Sequence, residues 1–117
     1  MEKRSLRACL GKEWLYCDGG TGSLLQEKGL KGGELPERWN LERPEDVIEI
    51  AESYFRAGAD IVNTNTFGAN AHKLEGCKID VDTAIATAIK SAKEAVAKSK
   101  RKVKVALDIG PIGELLE

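Results

Sequence analysis

Three apolar runs in the sequence each end on side chains that can grip a polar small molecule. Asp18 follows Trp14-Leu15-Tyr16-Cys17. Asn63-Thr64-Asn65-Thr66 follows Ala59-Asp60-Ile61-Val62. Asp108 stands near the end of Val103-Lys104-Val105-Ala106-Leu107-Asp108-Ile109. A carboxylate accepts hydrogen bonds from cations, whereas amide and hydroxyl side chains both donate and accept. Asn63 to Thr66, with Phe67 and Gly68 behind them, therefore read as one wall of a small-molecule site. The alternative is a turn whose Asn and Thr only cap the next helix.

The Asp18-Gly19-Gly20-Thr21-Gly22-Ser23 turn offers a second kind of chemistry. Free backbone N–H groups at a helix start attract anions, a phosphate or a carboxylate alike. The turn has no G-x-G-x-x-G and no following Gly-Lys-Ser/Thr, so it carries no nucleotide fingerprint. Its glycines could equally serve only to make the turn tight. His72, the single histidine, reads as a surface residue. Cys9, Cys17 and Cys77 are odd in number and lack C-x-x-C spacing, which argues against a disulfide framework and against zinc held by these three alone.

The elements that must position these groups follow from periodicity. Trp14 to Cys17 reads as a strand, with Cys17 facing the packed shell if Asp18 faces a site. A short helix then runs to about Lys28 and stops at Gly29. Gly29 to Arg43 holds glycines and Pro36, excluding a regular element; Leu35, Trp39 and Leu41 would tack it down. Pro44 opens a helix with Val47, Ile48, Ala51, Tyr54 and Phe55 on its apolar face and Gly58 as its stop. A short helix falls within Ala69 to Cys77. Asp80 or Asp82 caps the next, which runs to about Ser99 with Ile85, Ala88, Ile89, Ala92 and Val96 as its buried stripe. Arg4 to Leu10 forms a first short helix ended by Gly11, and another begins at Glu114.

Strand, helix, strand, helix, strand implies parallel pairing through crossovers, an α/β fold. In a parallel sheet the C-terminal ends of the strands share one side, so Asp18, the Asn63 to Thr66 run and Asp108 would meet on one rim. That is the side on which (β/α)8 barrels and doubly wound sheets hold ligands. A whole barrel needs about 250 residues, and this chain has 117. Three strand–helix units make either a small open domain or the front of something longer, and the unfinished helix at the end favours the second. The open sheet edges would invite self-association.

Composition excludes several classes. Charged residues are 32%, apolar residues 42%, and the formal net charge is -1. The charges are interleaved, which points to no nucleic acid and no anionic membrane as partner. No apolar run is long enough to span a bilayer, and Met1 to Arg7 lacks the apolar stretch of a secretory signal. The reading is cytoplasmic.

Four motifs, in order, resemble the homocysteine S-methyltransferase family: Asp18-Gly19-Gly20-Thr21-Gly22-Ser23-Leu24-Leu25-Gln26, Gly33 to Pro44, Ala57 to Asn70, and Asp108-Ile109-Gly110-Pro111-Ile112-Gly113. The second resembles the cobalamin-dependent, methionine-forming members in particular. The resemblance implies that residues 1–117 are the N-terminal part of a (β/α)8 TIM barrel that binds homocysteine, with the C-terminal part absent. It implies zinc, on cysteine ligands outside this chain, holding the homocysteine sulfur as a thiolate, the nucleophilic form. Methylcobalamin, on a separate module recharged from a folate, would be the methyl donor in the full-length enzyme. By resemblance Asp18 would meet the substrate ammonium, and Gly19 and neighbouring N–H groups its carboxylate. Thr66, with Asn65 and Asp108, would complete the polar contacts. Two positions depart from the family: Ser23 stands where threonine is common, and Asn63 stands where an acidic residue is common, which removes a charge near the site. The alternatives are a non-catalytic half-barrel completed by a partner, or an unrelated α/β enzyme taking a phosphate ester at the glycine turn.

Overall fold

A computed structural model describes residues 5–112. Arg4 of the first helix, Gly113 of the last motif and the helix expected from Glu114 lie outside those residues. Helix α1 is Leu6–Cys9, capped by Ser5, whose Oγ accepts from the Ala8 N–H at 3.2 Å. Helix α2 is Gly22–Glu27, and Gly29 takes the positive φ of 115° that releases the chain from it.

The connection expected to be irregular is partly helical. Pro36–Arg38 makes a turn of 3-10 helix and α3 is Trp39–Glu42. Pro36 occupies the first-turn position, where its fixed φ helps and its missing N–H costs nothing. Trp39 does anchor the segment, buried under the Arg43 guanidinium at 4.1 Å from its ring centroid; Leu41 instead points to solvent.

Helix α4 is Pro44–Ala57, as its proline start and glycine stop require. Gly58 sits at φ 112°, and its N–H reaches the Phe55 carbonyl while the Ala59 N–H reaches that of Tyr54. Strand β1 is Ile61–Asn63, and α5 is Ala71–Leu74 with Asn70 as its cap. Helix α6 is Val81–Ser99; Asp80 caps it, its Oδ2 accepting from the Thr83 N–H at 3.1 Å. Strand β2 is Lys104–Ala106.

Strands β1 and β2 pair in parallel, Ile61 opposite Lys104 and Asn63 opposite Ala106. On the other side of β1 the expected strand from Trp14 to Cys17 reduces to one parallel bridge, Cys17 to Ile61. Trp14 is 85% exposed, and Cys17, expected to face the packed shell, is exposed as well. An outer segment with one partner and no cover over its apolar side chains holds only the contacts β1 gives it. The same limit shortens β2 from the expected Val103 to Ile109, leaving Ile109 82% exposed.

The core lies on the helix side of β1. Val62 packs with Ala51, Phe55, Ala59 and Ala95; a second cluster joins Leu25, Leu30, Trp39, Val47 and Ile50. The buried face of α6 shares Ala88 and Ala92 with the expected stripe but is otherwise turned from it: Ala84, Ser91 and Ala95 are buried with them, while Ile85, Ile89 and Val96 are only half-buried. Small residues let α6 approach α4 closely, and the larger isoleucines take the flank of that contact. Among the described residues no helix is long and apolar enough to cross a membrane.

Candidate functional site

Asp18 leaves the sheet where the first segment ends and leans on the end of β1. Its Oδ2 accepts from the Asn63 backbone N–H at 3.0 Å and its Oδ1 from Asn63 Nδ2 at 2.9 Å. One residue, through its backbone and its side chain, thus fixes the orientation of the carboxylate, and each oxygen keeps a lone pair for a further donor. Tyr54, expected to be core, packs half-buried against both hydrophobic clusters, and the tip of its ring reaches up from α4. Its hydroxyl donates to the Gly20 carbonyl at 2.5 Å. A Cβ on Gly19 would lie 3.0 Å from the Tyr54 Oη, so any side chain there would force the tyrosine tip to shift. Desolvation first, and the Asp18 charge second, push the Tyr54 hydroxyl above its ordinary value. It stays a neutral donor throughout the physiological range.

Thr64 and Thr66 tie β1 to the end of β2. The Asp108 N–H donates to Thr64 Oγ1 at 3.3 Å, the two hydroxyls lie 2.7 Å apart, and Thr66 Oγ1 donates to the Asp108 carbonyl at 2.6 Å. Thr66 spends its single proton on that carbonyl, so Thr64 is the donor between the hydroxyls and the ring closes in one sense. Thr66 can therefore meet a ligand only as an acceptor. The Asp108 carboxylate is half-buried and has no hydrogen-bond partner among the described residues.

Asn65 faces elsewhere. Its Nδ2 donates to the Pro36 carbonyl at 2.8 Å and to Asn40 Oδ1 at 3.1 Å, while Asn40 Nδ2 returns a bond to the Asn65 carbonyl at 2.8 Å. Both donor protons of Asn65 are committed to the Pro36–Glu42 segment. Glu37 from that segment is buried and accepts from the Gly68 N–H at 2.5 Å. Asn40, Glu37, Gly68 and Tyr54 are thus part of the supporting frame. Sequence reasoning assigned them no such part, although Glu37 and Asn40 lie inside the Gly33 to Pro44 motif.

The structure gathers Thr66 with Asp108, and Asp18 with Asn63, but the two groups line separate small cavities. Asp18, Tyr54, Asn63, Thr64 and Asn65 border about 20 Å³, and Thr66, Asn70, Asp108 and Gly110 border about 60 Å³. Neither encloses a ligand; the rim is an open edge that holds polar groups in place. A wider groove of about 520 Å³ lies between α4 and α6, away from these residues. His72 lies on α5 and is exposed. The three cysteines are distributed over different segments, Cys9 buried and Cys17 exposed.

Residues 15–117 match the family model described as homocysteine S-methyltransferase. A methionine synthase of Mycobacterium leprae (strain TN) is 42% identical over an alignment of 73 residues that covers 56% of this chain and 6% of that protein. Two solved structures of the homocysteine methyltransferase MmuM from Escherichia coli are similar, each at TM-score 0.79 over 92% of this chain. The oxidized form is 26% identical and the metallated form 25%, and the chain covers 41% and 42% of them. The chain thus has the α/β fold of part of such an enzyme and spans well under half the length of each.

Proposed function

The chain belongs to the homocysteine S-methyltransferase family, and from that premise we propose that residues 1–117 are the amino-acid-holding front of a (β/α)8 barrel, about three strand–helix units long. The observation that carries the reading is the common edge of β1, β2 and the Tyr16–Asp18 segment. There the oriented Asp18 carboxylate, the buried, acceptor-only Thr66 hydroxyl and the Asp108 carboxylate, which has no hydrogen-bond partner among the described residues, stand at the same end of a parallel sheet. An ammonium offers donors and needs acceptors, and the oriented Asp18 carboxylate supplies one; Thr66 and Asp108, which border a separate small cavity, would meet other polar atoms of the ligand. Gly19 and the neighbouring backbone N–H groups would meet the substrate carboxylate.

In the complete enzyme the reaction is methyl transfer to the homocysteine sulfur, giving methionine. Zinc and methylcobalamin belong to that proposal, not to the residues described. Among these, no group of three or more His, Cys, Asp or Glu could hold a metal ion. The rim cavities of about 20 and 60 Å³ do not fit a corrin. The described residues alone therefore supply neither group's chemistry, and the chain alone is expected to transfer no methyl group at a measurable rate. The rest of the barrel and the cobalamin and folate modules are the proposed partners, with neither nucleic acid nor membrane among them. A cytoplasmic setting is part of the same proposal.

Exposed Trp14 and Ile109 flank the uncovered sheet edges where further strands would pair. Mass measurement in solution should accordingly show self-association of the isolated chain; a clean monomer at high concentration would speak against an edge that needs completing.

Binding itself is tested by titrating the chain with homocysteine, its deamino analogue and a simple phosphate ester. Homocysteine should bind about tenfold or more tighter than the deamino compound, the worth of one charge-assisted contact. Preference for the phosphate ester would move the site to the glycine turn and reject the proposal.

A further inference from the structure

We propose that Glu37 is a positioning residue whose buried carboxylate, through Gly68, sets the loop that carries Thr66. Glu37 is 2% exposed, and its Oε2 has no hydrogen-bond partner among the described residues. A carboxylate so placed is costly, because burial strips its water and only one oxygen is repaid. The repayment is specific: Oε1 accepts from the Gly68 N–H at 2.5 Å, a charge-assisted bond.

Gly68 is shaped to the same contact. A Cβ there would lie 3.1 and 3.2 Å from the two carboxylate oxygens, so the group lies against the glycine backbone. The constraint is one of space, since Gly68 is not among the residues with positive φ. On the other side of Thr66, Asn40 holds the Asn65 carbonyl and Pro36 takes the Asn65 amide. The Pro36–Asn40 segment therefore grips the loop by its backbone both before and after Thr66. From Gly68 the order passes on: Ala69 N–H bonds the Thr66 carbonyl and Asn70 N–H the Gly68 carbonyl. That Thr66 matters to a ligand rests on the homocysteine reading above; that Glu37 orders the loop does not.

The test is amide hydrogen exchange and amide-proton shifts in this chain, comparing wild type with Glu37→Ala, Glu37→Gln and Gly68→Ala. In Glu37→Ala the amides of Gly68, Ala69 and Asn70 should exchange roughly ten- to a hundredfold faster, with α4 and α6 unchanged. Glu37→Gln keeps an acceptor and the shape, so it should restore most of the protection, while the Gly68 amide proton moves upfield as the charge is lost. Gly68→Ala should loosen Ala69 and Asn70 even with Glu37 present. Unchanged exchange at Gly68 in Glu37→Ala, or acceleration of all amides alike, would overturn the proposal. Homocysteine added to the same samples separates the two readings. Failure of the wild type to bind counts against the function. Equal binding by a Glu37→Ala chain with a loosened loop counts against the positioning of Thr66.

Discussion

Phe55→Ala is expected to lower the stability of the chain by about 3–5 kcal/mol, the usual cost of removing a buried aromatic side chain. Phe55 is 1% exposed and packs among Ala51, Ala59, Val62 and Ala95, where α4, β1 and α6 meet. Its fully buried neighbours are alanines and one valine, too small to refill the space, and the half-buried Ile48, Tyr54, Val96 and Val103 are held at the margin of the cluster, so much of the cavity should persist. Domains of this size are stable by about 5–15 kcal/mol in total, and each kcal/mol moves the midpoint by about 4–8 °C. Thermal melts followed by circular dichroism should therefore drop by tens of degrees, or show no folded baseline. Phe55→Leu, which retains most of the volume, should cost roughly 1.5 kcal/mol or less. A melt of Phe55→Ala within a few degrees of wild type would show that the core is not centred on this contact.

Asp18→Ala has the largest expected effect on binding. Its carboxylate is the acceptor whose direction the structure fixes most firmly, with both oxygens on Asn63. Losing a charge-assisted contact costs about 1.5–3 kcal/mol, so homocysteine affinity should fall roughly ten- to a hundredfold. Affinity for the deamino analogue should not change, because it has no ammonium to lose. Asp18→Asn should behave like Asp18→Ala toward homocysteine while keeping a carbonyl oxygen as an acceptor. The melting temperature should move little in either variant, since the pair with Asn63 sits at the exposed edge. Equal weakening of both ligands would mean that Asp18 acts through the fold and not through the ammonium.

The helices were the readable part of the sequence because their signals are local. Pro44 and Gly58 bound α4 within the reach of one turn, and Asp80 caps α6 through its own neighbour Thr83. The strands were read too long, since a strand lasts only as far as its partners; Trp14 and Ile109 carry strand-forming side chains with nothing alongside. The stripe on α6 was right at Ala88 and Ala92 and misplaced at Ile85, Ile89 and Val96, because hydropathy favours the larger residues whereas close packing on α4 selects the small ones. Pro36 read as a breaker and proved to be a helix opener.

The site divides the same way. Its residue types and the strand ends that present them were legible from pattern. The hydrogen bonds between them were not, because they join residues far apart in sequence. Thr66 to Asp108 spans 42 positions and Glu37 to Gly68 spans 31. Nothing in the spacing of Asn65 tells that its amide turns to Pro36 and Asn40. Nor does it reveal that Tyr54, on a helix face otherwise apolar, carries the hydroxyl that steadies the glycine turn.

The central claim is that the strand ends form one rim for the polar head of an amino acid. Mapping the backbone amide resonances that homocysteine perturbs tests it most directly, since weak binding by an open edge is still visible that way. The claim predicts saturable shifts grouped at Asp18, Gly19, Thr66 and Asp108, and their loss in Asp18→Ala. Shifts confined to the groove between α4 and α6, or none at Asp18 and Thr66 at saturating ligand, would contradict it.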